Sequence, residues 1–149
     1  MKKIILTLLG SILLCICIIF AIKAEQDINI LADNIYFEAR NSSTDDKISV
    51  ALVVINRLKS SRYPNTVSDV VFQKNQFSWT IEYSEPNRNN RDWKKCRAIA
   101  KMILDNYEHW KNPNVCLHYI ANKTYPGNHW SNKFTQRTLI GKHIYLCEG

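Results

Sequence analysis

The sequence is poor in the signatures by which several common chemistries are read. It has no His-Glu-x-x-His, and beyond residue 24 no two histidines and no two cysteines stand at short ligand spacing. That disfavours a zinc centre built on His109, His118, His129 or His143. No Gly-x-Ser-x-Gly supports a serine triad. Cys116 and His118 would share one face of a strand, but adjacency alone gives little support to a thiol nucleophile. Basic residues form no stripe with interleaved aromatics, so nucleic acid is a poor partner. No internal repeat, low-complexity tract or long Gly, Pro or Ser linker follows the first two dozen residues, which leaves one ordinary-sized domain over 25–149.

Residues 1–24 are of another kind. Ile4 to Ile22 is nineteen positions without a charge, preceded by Lys2 and Lys3 and followed by Lys23. A run of this length can span a bilayer core, which takes ~20 residues, and it also has the layout of a secretory signal. Either reading exports the rest. The position three before a cut after Ala24 is Ile22 rather than a small residue, which favours an uncleaved signal-anchor. Cys15 and Cys17 follow Leu14 and Ile16, where lipidation would need a small residue.

The formal charge of +7 shrinks once this block is set aside. Its three lysines and no acid leave 17 basic against 13 acidic residues, or +4, in the exported part. So mild an excess suits attraction to an anionic cell envelope. Three cysteines lie beyond the membrane segment, and an odd number allows at most one internal disulfide. Cys96–Cys116 and Cys116–Cys147 are both open, as is a set of buried free thiols.

Hydrophobic periodicity then divides the domain. Ile28, Leu31, Ile35 and Ala39 recur at helical spacing and predict an amphipathic helix ending near Arg40. Ser43 followed by Asp46 resembles a capping box and predicts a second helix from Thr44 to about Leu58, so apolar from Ile48 to Ile55 that it should be central and buried. A helical turn is expected over Thr66–Phe72, then a polar loop from Gln73 to Asn90. Trp93, Cys96, Ala100, Ile103, Tyr107 and Trp110 predict a third helix ending before Pro113, with the stripe read as core. The period then changes. Val115–Ile120 reads as a strand, and Thr138–Ile140 with His143–Leu146 as a hairpin whose Gly141-Lys142 turn suits type II′. Helices first and strands last argue for an α+β domain.

Within this frame Glu38 is oddly placed. It stands seven residues after Leu31 and three after Ile35, on or beside the apolar face. Burial would raise its pKa and let it hold a proton near neutrality for donation to a leaving oxygen. A salt bridge to Arg40 or Arg57 is the other reading. Gln76-Phe77-Ser78-Trp79 mixes an amide, a hydroxyl and two aromatics, which suits sugar hydroxyls and C–H faces, although the two rings could equally plug the core. His118, Tyr119 and Trp130 could form the opposite wall of a cleft or serve structure alone.

Together these stretches resemble a known family. IYFEAR at 35–40, VALVVINR at 50–57, Tyr63-Pro64-Asn65-Thr66-Val67, Gln76 to Trp79, Leu117-His118-Tyr119 with Trp130, and Ile140 to Tyr145 occur in the order of the SleB-like cell wall hydrolases and spore cortex-lytic catalytic domains. The resemblance implies a lysozyme-like, mainly helical fold with a small C-terminal antiparallel sheet and, without a cofactor, lytic transglycosylase action on peptidoglycan glycan strands by a monomer. It implies Glu38 as the catalytic acid, with Gln76, Phe77, Ser78, Trp79, His118, Tyr119 and Trp130 as sugar contacts. A two-carboxylate muramidase drawing on Glu82 or Glu85, and an inactive wall-binding module, are the alternatives. This chain departs from the family where Gly-Glu after Ala-Arg is replaced by Asn41-Ser42, which removes an acid, and where Leu117 replaces Thr. With no separate wall-binding module expected, a tethered phage endolysin or a wall-remodelling enzyme of the host fits better than a spore role.

Overall fold

The computed structural model describes residues 2–108, 115–124 and 129–148. The membrane-type segment and the first amphipathic helix form one element. Helix α1 runs unbroken from Lys2 to Ala39, so the division expected at residue 24 falls inside a helix. Its first half exposes apolar side chains all round. Its last third buries Ile28, Leu31, Ala32 and Ile35.

Helix α2 (Thr44–Lys59) is the central helix that its apolar run predicts. Val50, Ala51 and Val53 to Ile55 are buried between α1, the one-and-a-half-turn α3 (Val67–Val71), α4 (Arg91–Asp105) and the sheet. Ser43 caps it by accepting from the Asp46 N–H at 3.3 Å. Thr66 and Asn90 cap α3 and α4 in the same way, each hydroxyl or amide oxygen taking an otherwise orphaned N–H. Helix α4 packs along α1 through the buried stripe Trp93, Cys96, Ala100 and Ile103. The Trp93 indole N–H donates to Asp33 at 2.7 Å, and Arg97 pairs with Glu25 and Asn29.

The stripe stops a turn earlier than its spacing predicts. The Asn106 side chain donates to the Met102 carbonyl at 2.8 Å and closes α4, leaving Tyr107 exposed, while Trp110 lies outside the described residues. The loop before α4 is irregular as expected, apart from one 3-10 turn at Ser78–Thr80.

Strands β1 (Val115–Ala121), β2 (Gln136–Ile140) and β3 (His143–Glu148) form an antiparallel sheet in the order β1-β3-β2. Tyr119 lies opposite Tyr145, and Ala121 opposite His143. The register slips between Cys116 and His118, where the Cys116 and Leu117 carbonyls turn to accept from Asn56 Nδ2 and Arg57 Nε, each at 2.9 Å. Cys116 and Cys147 close the disulfide, and Cys96 stays a buried thiol.

Asp46, read from the sequence as the acidic half of a capping box, turns inward instead. Its fully buried carboxylate accepts from His143 Nδ1 at 2.9 Å, from the Tyr145 hydroxyl at 2.7 Å and from the Lys142 N–H at 3.1 Å. These bonds fasten the β2–β3 hairpin to α2. The turn residue must therefore be glycine twice over. Gly141 has φ +57°, as the first position of a type II′ turn requires, and a Cβ there would meet the Asp46 carboxyl at 2.7 Å.

Two outcomes follow. Burial alone would push the Asp46 carboxyl up, but the donors around it, His143 foremost, outweigh it and hold the group at about 2 against an ordinary 3.8. A depressed carboxyl contributes stability that is complete above the unfolded value and lost as pH falls through the folded one. Acid unfolding should therefore show a component between about pH 4 and pH 2 that disappears in Asp46→Asn; an unchanged acid profile would refute this. Replacing both Cys116 and Cys147 by Ala opens a link across a sequence separation of 31, which should cost about 3–4 kcal/mol. Thermal melts with and without reductant measure it.

Candidate active site

Glu38 occupies the last turn of α1, where the helix runs into the sheet. Its Oε2 accepts a hydrogen bond from the Tyr119 hydroxyl at 3.0 Å, and its Oε1 has no partner among the described residues. Burial pushes the carboxyl above its ordinary value. The Tyr119 hydroxyl and the charge of His143 pull it part of the way back. Burial and the neighbouring carboxylate also push the Tyr119 hydroxyl well up, so it remains a donor.

The salt bridge left open by the sequence is not made. Arg40 lies over the Tyr36 ring at 5.6 Å, Arg57 donates to a β1 carbonyl, and among the described residues no cation pairs with Glu38. The carboxyl is half-buried and makes no ion pair among the described residues, a setting that favours the protonated form of an acid.

Two adjoining hollows open beside it. The first, of about 370 Å³, has Glu38 on one wall, Asn75, Gln76, Ser78 and Ile81 from the loop on another, and Tyr119 and His143 from the sheet as its base. The second, of about 350 Å³, shares Asn75, Gln76 and Tyr119 with the first and adds Arg57, Phe77, His118 and Trp130. One groove thus holds seven of the eight residues singled out from the sequence.

Their roles differ. Gln76 lies on both hollows, and Ser78 on the one that contains Glu38. Phe77 is 2% exposed and belongs chiefly to the core beneath. His118 packs edge-on to Trp130 at 5.8 Å and lies 3.4 Å from the Tyr63 hydroxyl, while Trp130 is 44% exposed and offers its ring to the groove.

Trp79 departs from the expectation and lines neither hollow. Its ring stacks on Phe37 at 4.8 Å and its N–H donates to Asn34 at 3.0 Å, so its apolar face and its one donor are both used inside the protein. Its place is the structural one that the sequence left open.

Four groove or supporting residues were not singled out from the sequence as part of the site. Asn75, the only described non-glycine residue with positive φ (62°), bends the loop so that Gln76 and Ser78 face Glu38. Asn is among the few residues that tolerate such a backbone, which was its only local signal. His143 was hidden in a hairpin strand, Arg57 at the end of an apolar helix, and Asp46 behind a capping pattern. All three acquire their setting from residues 60 or more positions away. Among the described residues no group of three or more His, Cys, Asp or Glu gathers to hold a metal ion.

The Cell Wall Hydrolase family model matches residues 41–146, beginning just after Glu38. The spore cortex-lytic enzyme of Oceanobacillus iheyensis is 30% identical over 125 residues, covering 82% of this chain and 42% of that protein. That of Bacillus subtilis is 30% identical over 128 residues, covering 84% and 38%. The chain therefore spans less than half the length of the curated relatives it matches. Among solved structures, the catalytic domain of Bacillus cereus SleB aligns with a TM-score of 0.63 at 31% identity, covering 82% of this chain and 90% of that one. The catalytic domain of the germination-specific lytic transglycosylase SleB from Bacillus anthracis gives 0.62 at 31% identity, covering 80% and 93%. The mainly helical, lysozyme-like fold with a small antiparallel sheet is the one expected from the sequence. A family match over most of the chain, together with relatives of this identity and extent, places the protein in the Cell Wall Hydrolase family, among its SleB-like members.

Proposed function

We propose that this protein is an exported enzyme that cuts peptidoglycan glycan strands between N-acetylmuramic acid and N-acetylglucosamine by lytic transglycosylation. The observation that carries the reading is the Glu38 carboxyl. It stands half-buried on the wall of a groove, in no ion pair among the described residues, with one oxygen held by Tyr119 and the other free.

The steps follow from that geometry. With Oε2 fixed by Tyr119, Oε1 carries the proton and passes it to the linking oxygen as the muramic C1–O bond breaks, leaving an oxocarbenium-like centre at C1. The now ionised Glu38 takes the proton from the same sugar's C6 hydroxyl as that oxygen bonds to C1, closing a 1,6-anhydro ring. The acid is regenerated without water. A hydrolase would need a second carboxylate near the bond. Among the described residues no other acid lines the Glu38 hollow: Glu82 and Glu85 are exposed, and Glu85 pairs with Arg88 at 3.8 Å. Gln76, Ser78 and Tyr119 would contact the sugar at the cleaved bond. His118, Trp130 and the edge of Phe77 would contact the next ring along.

Export rests on the first half of α1, which is long and apolar enough to cross a membrane and is unburied. As a signal-anchor it would share one rigid helix with the acid. From Ile22 to Glu38 the rise is roughly 24 Å along the axis, which would hold the groove close above the bilayer.

Digestion of purified peptidoglycan followed by mass spectrometry tests the function. Anhydro-muramic ends are expected, while reducing ends would mean a muramidase, and binding without release an inactive module. Glu38→Gln should lose at least about a hundredfold in rate. The same variant should melt no lower than wild type at neutral pH. A carboxyl raised in the folded state is stabilising below its unfolded value, and that contribution is lost as pH climbs through the folded one. Wild-type activity should fall through that same rise in pH, as the acid loses its proton. Full activity in Glu38→Gln would overturn the assignment.

A further inference from the structure

Arg57 presents a physical problem that the reaction above does not use. Its side chain is 4% exposed, and no acidic residue pairs with it among the described residues. Taking a cation out of water without an anion is costly, by several kcal/mol even after relaxation. Part of the deficit is met locally. Nε donates to the Leu117 carbonyl at 2.9 Å, and the rings of Tyr63 and Phe77 lie 5.2 and 5.3 Å from the guanidinium carbon. Nη1, however, is buried with no hydrogen-bond partner among the described residues. Burial accordingly depresses the Arg57 pKa.

This unsatisfied cation forms part of the wall of the second hollow, with Gln76, His118 and Trp130, next to the hollow that holds Glu38. A guanidinium is a planar fork of donors that matches a carboxylate. A carboxylate seated there would supply the missing counter-charge while a sugar ring lay against Trp130. We infer that Arg57 receives a carboxylate of the glycan substrate in this second hollow and so sets which ring lies beside Glu38. The inference rests on the glycan-cleaving reading given above. The carboxylate has two sources, the lactyl group of a muramic residue without a peptide and the acidic groups of an attached stem peptide.

Binding separates this from catalysis. The full chain in detergent, carrying Glu38→Gln to prevent turnover, is titrated with three ligands of equal ring number. One is a peptide-free tetrasaccharide of alternating N-acetylglucosamine and N-acetylmuramic acid, the second is the same with stem peptides, and the third is chitotetraose, which has no carboxylate. At least one acidic ligand should bind tenfold or more tighter than chitotetraose, a difference of about 1.4 kcal/mol or more. A lactyl source gives the preference with the peptide-free ligand. A peptide source gives it only with the peptide-bearing one.

Adding Arg57→Met should abolish the preference without unfolding the protein, since an apolar replacement of a buried charge is often neutral or stabilising. Arg57→Lys keeps the charge and loses the fork, so it should weaken the preference without abolishing it. Equal binding of all three ligands, or of none, overturns the inference, as does a preference that survives in both variants. A wild-type chain that releases nothing from peptidoglycan would overturn the glycan-cleaving reading and leave the binding comparison to stand or fall separately.

Discussion

The fold and the groove both depend on the buried carboxylate of Asp46. It is the point at which the helical part of the molecule, represented by α2, holds the C-terminal hairpin. Three donors from β3 and its turn converge on it. Fixing the hairpin also fixes the His143 ring. With Nδ1 committed to Asp46, the opposite edge of that ring is left towards the Glu38 hollow. Tyr119 packs against His143 and Tyr145 at ring distances of 5.0 and 5.6 Å, and its hydroxyl is thereby aimed at Glu38. A change at Asp46 would reach Glu38 through two rings without altering any residue that lines the groove wall beside it.

Asp46 and Glu38 have opposite proton affinities for reasons that can be counted in donors. Both are taken out of water, which favours the neutral form. Asp46 receives three hydrogen bonds and ends up depressed. Glu38 receives one and ends up raised. Asp46, held by its donors, keeps its charge behind the sheet, whereas Glu38, with fewer donors, faces the groove.

Much of this was legible in the sequence because it is local. The apolar spacing of Ile28, Leu31 and Ile35, the Ser43 cap, the all-round hydrophobicity of α2 and the Gly141 turn each express a backbone preference within a few residues, and each appears where its pattern places it. Glu38 could be singled out for the same reason, as a carboxylate on an apolar stripe. What the sequence hid depends on distant partners. Asp46 carries a capping pattern and a tertiary role, and only the approach of residues 142–145 decides between them. Trp79 reads as a sugar platform until Phe37 and Asn34, from a helix more than forty positions away, take its face and its N–H. The aromatic stripe of α4 ends early because an asparagine side chain competes successfully for the last carbonyls, a contact that periodicity cannot see.

The departure from the family pattern after Arg40 follows the same logic. The segment that resembles the SleB-like domains has Asn41-Ser42 where an acid would be expected, a loss in the turn next to Glu38. This chain does have an acid close by, supplied from the first turn of α2 as Asp46 and turned inward rather than left in the connection. From there it cannot reach a substrate, because its oxygens are taken by His143, Tyr145 and the Lys142 N–H. Its influence on the groove must pass through the orientation of His143 and Tyr119. Among the described residues that leaves Glu38 as the one acid lining the hollow, the condition that the proposed single-carboxylate mechanism requires.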